Sequence, residues 1–161
     1  MDVLEAARRF ARSLDAEDYG SVGECVAAAA RYEIHEQVHE GREGILASYR
    51  ASGEWAARTL DRVRYSSSVR RGERGEVIVE FIDDLEHGGA TLRHRCEQRL
   101  HFEESGLISR IVHVDLPGEQ AALSEFFKAV GLSRREPGEG PANSPLQLTS
   151  GTGAPSESGQ S

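Results

Sequence analysis

Cysteine is scarce in this chain: Cys25 and Cys96 are the only two in 161 residues. Two thiols cannot build a disulfide framework, so a reducing, cytoplasmic setting is the natural reading. Positive charge is short as well, with 19 Lys and Arg against 27 Asp and Glu, a formal net charge of −8. An acidic surface of this kind is a poor general binder of nucleic acid or anionic membrane, and neither is expected as a partner. No apolar stretch is long enough to span a bilayer. The first residues, MDVLEAARRF, lack the apolar h-region of a signal peptide and read as an amphipathic helix. GREG, at Gly41–Gly44, is followed by no Walker-type glycine pattern and reads as a helix start. No helical His-x-x-x-His and no Cys-x-x-Cys is found, so no metal or cofactor is read from the sequence.

What is present divides the chain in two. From Ser133 to Ser161 the residues are mainly Gly, Pro, Ser, Thr and Glu with no aromatic. Such a segment buries too little apolar area to offset its ordering entropy and is expected to be a disordered tail. Residues 1–132 are the expected folded domain, large enough for a core of its own. Apolar residues at helical spacing predict a first helix over Val3–Leu14. Asp18 can cap a second, from Tyr19 to about Ala29. Arg31–Val38 alternates and predicts a strand, Gly41–Ala51 a third helix, and Thr59–Val69 a second strand.

Three patterned segments follow: EVIVEFIDDLE (76–86), TLRHRCEQRLHFEE (91–104) and LISRIVHVDL (107–116). Gly88-Gly89 and Ser105-Gly106 suit two-residue hairpin loops, where positive φ is needed. These loops place Asp83 opposite His94, Phe81 opposite Cys96 and Val79 opposite Gln98. They also place Leu100 opposite Ile111, Gln98 opposite His113 and Cys96 opposite Asp115. Because side chains alternate along a strand, all of these share one face. The other face mixes Arg93, Arg95 and Arg99 with Ile78, Ile82, Val112 and Val114, a composition that suits a homodimer interface. Glu119–Val130 predicts a last helix. Helices early and antiparallel strands late argue for an α+β fold.

At this point the chain resembles the nuclear transport factor 2-like superfamily, and within it the SnoaL-like proteins, over about Met1–Leu116. The helix order, the segment GREGILASYR and the hairpin EESGLISRIVHVDL carry the resemblance. It implies a cone: a curved antiparallel sheet wrapped on N-terminal helices around an internal cavity, a cystatin-like roll. Relatives include ketosteroid isomerases, polyketide cyclases, dehydratases, epoxide hydrolases and non-catalytic binders. Laid along the isomerases, their catalytic tyrosine falls on Phe10, their general-base aspartate on Ile34, and their proton-donating aspartate on Gln98. Phe10 and Ile34 cannot exchange protons and Gln98 can only hydrogen-bond, so typical isomerase activity is not expected.

Other groups on the concave face must carry any chemistry. His94, supported by Asp83 or Asp115, is the candidate proton shuttle, because a carboxylate beside an imidazole fixes its tautomer and raises its pKa. Gln98 and His113 can anchor a ligand oxygen, while Cys96, Tyr32, Trp55, Phe81 and Ile111 are the expected lining. Tyr49 can line or close the cavity with Trp55. Glu36 is a further candidate acid, sharing a face with Tyr32 and Ile34, whereas His35 and His39 should point outward or sit in a loop. Three functions remain open: binding a small, largely apolar molecule; a lyase, isomerase or cyclase with a His–Asp relay; or a non-catalytic dimerisation or adaptor domain.

Overall fold

The structure, a computed structural model, describes residues 2–132, so the expected tail at 133–161 lies outside the described residues. Helix α1 spans Val3–Asp15 and begins where the Asp2 carboxylate accepts hydrogen bonds from the Leu4 and Glu5 amides, satisfying two otherwise orphan donors. Its apolar stripe buries Ala7, Phe10 and Ala11. Asp18 caps α2 (Tyr19–Cys25) in the same way, through the Ser21 amide at 3.2 Å.

Helix α2 ends earlier than its pattern suggested. Val26–Ile34 forms strand β1 instead, and the extended run predicted over 31–38 is broken by a turn at His35-Glu36 into β2 (Gln37–Glu40). His35 sits there with φ of 54°, a conformation for which neither residue of the turn is a typical signal. Helix α3 runs Arg42–Thr59, beyond the predicted end near Ala51, because Trp55 and Ala56 bury their side chains on the same packed face. Strands β3 (Arg62–Arg71), β4 (Val77–His87), β5 (Ala90–Phe102) and β6 (Ile108–Asp115) follow, then α4 (Glu119–Ala129).

The six strands make one sheet in the order β2-β1-β6-β5-β4-β3. All neighbours are antiparallel except β1 and β6, which run parallel, with Tyr32 beside Ile111. The β4–β5 register agrees with the expectation at every position, from His87 opposite Ala90 to Val79 opposite Gln98. Gly88 and Gly89, with φ of 60° and 82°, supply the left-handed backbone that this tight loop requires. The β5–β6 register agrees at Leu100–Ile111, Gln98–His113 and Cys96–Asp115. Its loop is longer than expected. The Glu103 amide bonds the Leu107 carbonyl at 2.8 Å and Phe102 pairs with Ile108. One extra residue on β6, Ser109, then restores the register as a bulge.

Two apolar clusters fill the concave side. One joins α1, α2 and α3 to the sheet through Phe10, Val22, Ile45, Val79, Leu100, Ile108 and neighbours. The other sits near the β4–β5 hairpin end, where Leu123, Phe126 and Phe127 of α4 pack on Trp55, Leu60 and Leu85. The outer face carries cross-strand ion pairs, Arg93–Asp84, Arg95–Glu80 and Arg70–Glu97. Ile78, flanked in register by Arg70 and Arg99, is only 5% exposed there.

Candidate functional site

Between the two clusters lies a cavity of about 80 Å³. Leu14, Asp15, Glu17 and Tyr19 line it from the α1–α2 connection, and Tyr49, Ser52 and Gly53 from α3. Tyr65, Phe81, Asp83, Cys96 and Gln98 line it from β3, β4 and β5. Gly53 lets the mouth close tightly: a Cβ there would come within 2.5 Å of a Glu17 carboxylate oxygen and 2.6 Å of the Tyr19 hydroxyl. The Arg50 guanidinium lies 5.1 Å above the Tyr19 ring.

At the inner wall, the Tyr49 hydroxyl donates to Gln98 Oε1 at 2.7 Å, and Gln98 Nε2 donates to the Tyr32 hydroxyl at 3.0 Å. The two tyrosine rings stack at 5.0 Å. Gln98, where the isomerases carry an acid, thus serves as a bridge between two buried phenols. Phe10 and Ile34, the other two positions of that comparison, are fully buried apolar residues. Burial raises both phenols, Tyr49 well above its usual value.

Asp83 is the chemically poised group. Burial first, then the nearby Asp15 and Asp84 carboxylates, push it from 3.8 to about 7. Asp15, raised by burial, receives a hydrogen bond from the Ser67 hydroxyl at 2.6 Å, while its other oxygen is buried without a partner. A carboxyl half protonated near neutral pH, beside a second carboxylate, can take or give a proton.

The remaining expected residues divide among other places. His94 lies opposite Asp83 in the sheet, yet both of its ring nitrogens are buried without a hydrogen-bond partner. Its Nδ1 is 3.7 Å from a Glu119 oxygen, and burial lowers its pKa despite that carboxylate. The Asp83–His94 pair is therefore adjacent in register without a hydrogen bond. Trp55 packs edge-on against Phe127 at 5.6 Å and does not line the cavity. Tyr32 and Ile111 belong to the core behind the wall. Glu36 is exposed in the β1–β2 turn, away from the inward face it was expected to share.

His113 and Asp115 form a second polar centre at the rim, and His35 joins them. The Asp115 carboxylate meets His113 Nε2 at 2.8 Å and His35 Nε2 at 3.1 Å. Burial would raise the Asp115 pKa, but hydrogen bonds from His113 and His35 outweigh it and hold the carboxyl well below its usual range. The sequence reading put His35 outward or in a loop; it does lie in the β1–β2 turn, but running one strand through that turn hid its approach to Asp115. A signal was present: His35-Glu36-Gln37-Val38-His39 has the letters of a zinc-protease motif. That motif works only on a helix, where both histidines share a face. Here it spans strand, turn and strand, and His39 lies against the Tyr32 ring at 5.8 Å instead.

No protein-family model and no curated protein matches the sequence. Solved structures do match. A candidate polyketide cyclase from Pseudomonas putida KT2440 is 14% identical over 74% of this chain and 95% of its own, with a TM-score of 0.58. A nuclear transport factor 2-like protein of unknown function from Exiguobacterium is 10% identical over 70% of this chain and 98% of its own, at 0.56. An epoxide hydrolase of M. tuberculosis, described as LEH-like, is 19% identical over 80% of this chain and 88% of its own, at 0.54. Likeness at these identities establishes the fold.

Proposed function

On this nuclear transport factor 2-like fold, we propose that the chain binds a small, largely apolar molecule in the cavity beneath Gly53, with Asp83 meeting its polar group. One observation carries the reading: a buried carboxyl poised at about 7 on a wall shared with Leu14, Tyr49, Tyr65, Phe81 and Cys96. At about 80 Å³ the space equals two or three water volumes, below the ~300 Å³ where ordinary ligand sites begin. A larger guest requires Glu17 and Tyr19 to swing away from Gly53. Their mutual contact, at 3.4 Å, is weak and Glu17 is exposed, so the motion gives up mainly the packing of Tyr19 on the core and beneath Arg50. Native mass spectrometry of the purified chain, followed by extraction, tests this. A bound molecule that is lost in Asp83→Asn supports it, and a chain that takes up no guest from an apolar fragment set rejects it.

The second reading is acid–base catalysis, supported by the Asp83–Asp15 proximity and by the cyclase and hydrolase names of two structural neighbours. Here Asp83 replaces His94 as the proton-exchanging group, with burial first and then Asp15 holding its pKa up; His94 lacks a hydrogen-bonded carboxylate, and Asp115 serves the rim. Turnover unchanged in Asp83→Asn would remove this assignment. Self-association through the outer sheet face, the homodimer expected from sequence, rests on half-covered Val112 and Val114. A sedimentation mass of one chain would reject it.

A further inference from the structure

From the rim centre we infer that His35, His113 and Asp115 form a binding site for one divalent first-row transition ion. The placement and chemistry of these groups carry it. The donor atoms of these three side chains all lie within 4.8 Å of one another, and Asp115 Oδ1 is 2.8 Å from His113 Nε2 and 3.4 Å from His35 Nε2. Donors around a common ion at metal–ligand distances of about 2.1 Å sit roughly 3 to 3.5 Å apart, so side-chain shifts of less than about 1 Å complete the geometry.

The donors come from separate places in the chain and are held there. His113 is fixed on β6 with its side chain 1% exposed, and His35 is held on the β1–β2 turn against it, ring centroids 5.3 Å apart. One carboxylate faces two imidazole nitrogens, a set of two histidines and one acid that suits zinc, iron, cobalt or nickel and leaves further positions open. Access exists, since the Asp115 side chain is 31% exposed and His35 14%. The net charge of −8 favours a cation.

Affinity is set by what stands behind the ligands. The Nδ1 atoms of His35 and His113 are both buried without a partner. Ligating histidines ordinarily donate that second N–H, and losing such support costs about 10- to 100-fold in affinity, so binding in the micromolar range is expected.

The experiment uses the untagged full chain, with zinc titrated by calorimetry and cobalt by visible absorption. One ion per chain and the absorption of a low-coordinate cobalt complex are expected. His35→Gln and Asp115→Asn should each weaken binding at least about tenfold, while His101→Gln leaves it unchanged. His35 lies at a turn, and the wild-type chain provides a readout free of folding effects. Zinc should shift the imidazole ¹⁵N resonances of His35 and His113 and leave those of His87 and His101. Absence of saturable binding, ions retained equally in both variants, or resonance shifts only at other histidines would overturn the site.

Discussion

Replacing Asp83 by asparagine should make the protein more stable, and more so as the pH rises. An aspartate in an unfolded chain titrates near 3.9, whereas in the fold Asp83 is held at about 7. Below the lower value both states are protonated and burial is free of charge. As pH rises through the window, the unfolded chain ionises first and the folded state falls behind. Above about 7 the full penalty applies, roughly three pKa steps at 1.36 kcal/mol each, or about 4 kcal/mol. The side chain is only 8% exposed, so solvent screening relieves little of this. Asparagine keeps the shape and cannot ionise. Urea unfolding followed by the single tryptophan, Trp55, reads both proteins at about pH 5 and about pH 8.5. Groups common to both proteins cancel in the difference. The stability advantage of Asp83→Asn should grow by roughly 2 to 3 kcal/mol between the two pH values. A difference that does not change with pH would show that Asp83 ionises as if in water, and the poised-carboxyl argument would fall with it.

Three further outcomes follow from the same geometry. Gln98→Leu leaves two buried phenol hydroxyls without their bridge and should cost about 2 to 4 kcal/mol in thermal or urea unfolding; a loss below about 0.5 kcal/mol would mean that the bridge is not formed. His94→Leu removes two unpartnered buried nitrogens and should hold or raise stability by about 1 kcal/mol, so a loss above about 2 kcal/mol would indicate partners for that ring. Gly53→Ala should push Glu17 and Tyr19 outward. In the wild type all four tyrosines are raised, Tyr19 to about 12, and an ultraviolet titration should find one returning to the usual range near 10 in the variant. Four unchanged phenols would show that the mouth does not depend on this glycine.

The legible parts of this fold are those governed by local chemistry. Gly88-Gly89 defined the β4–β5 register because a tight loop with positive φ admits few residues, and strand alternation then sorted both faces. That is why Asp83, Phe81, Cys96 and Gln98 could be placed together. Features set by distant packing were not legible. The predicted end near Ala51 was too early, because α3 continues to where Trp55 and Ala56 find Leu85 and the α4 phenylalanines. Asp15, Tyr65 and the mouth at Glu17 reach the cavity only once α1 has folded onto β3 and α3. His35 occupies a turn without the usual turn residues, and only the parallel pairing of β1 with β6 brings it to Asp115.

That parallel pairing also orders events in time. His35 and Asp115 lie 80 residues apart, and no part of β6 exists until the ribosome has made nearly all of the domain. The β1–β2 hairpin therefore waits with one edge unpaired while α3 and the whole β3–β5 meander are synthesised. Long-range closure of this kind is slow, and an unpaired edge can accept a wrong strand in the meantime. A chain stopped before Ile108 would keep the meander and lose the strand that unites it with the hairpin. Completion of β6 is thus the step that turns two separate pieces of sheet into one.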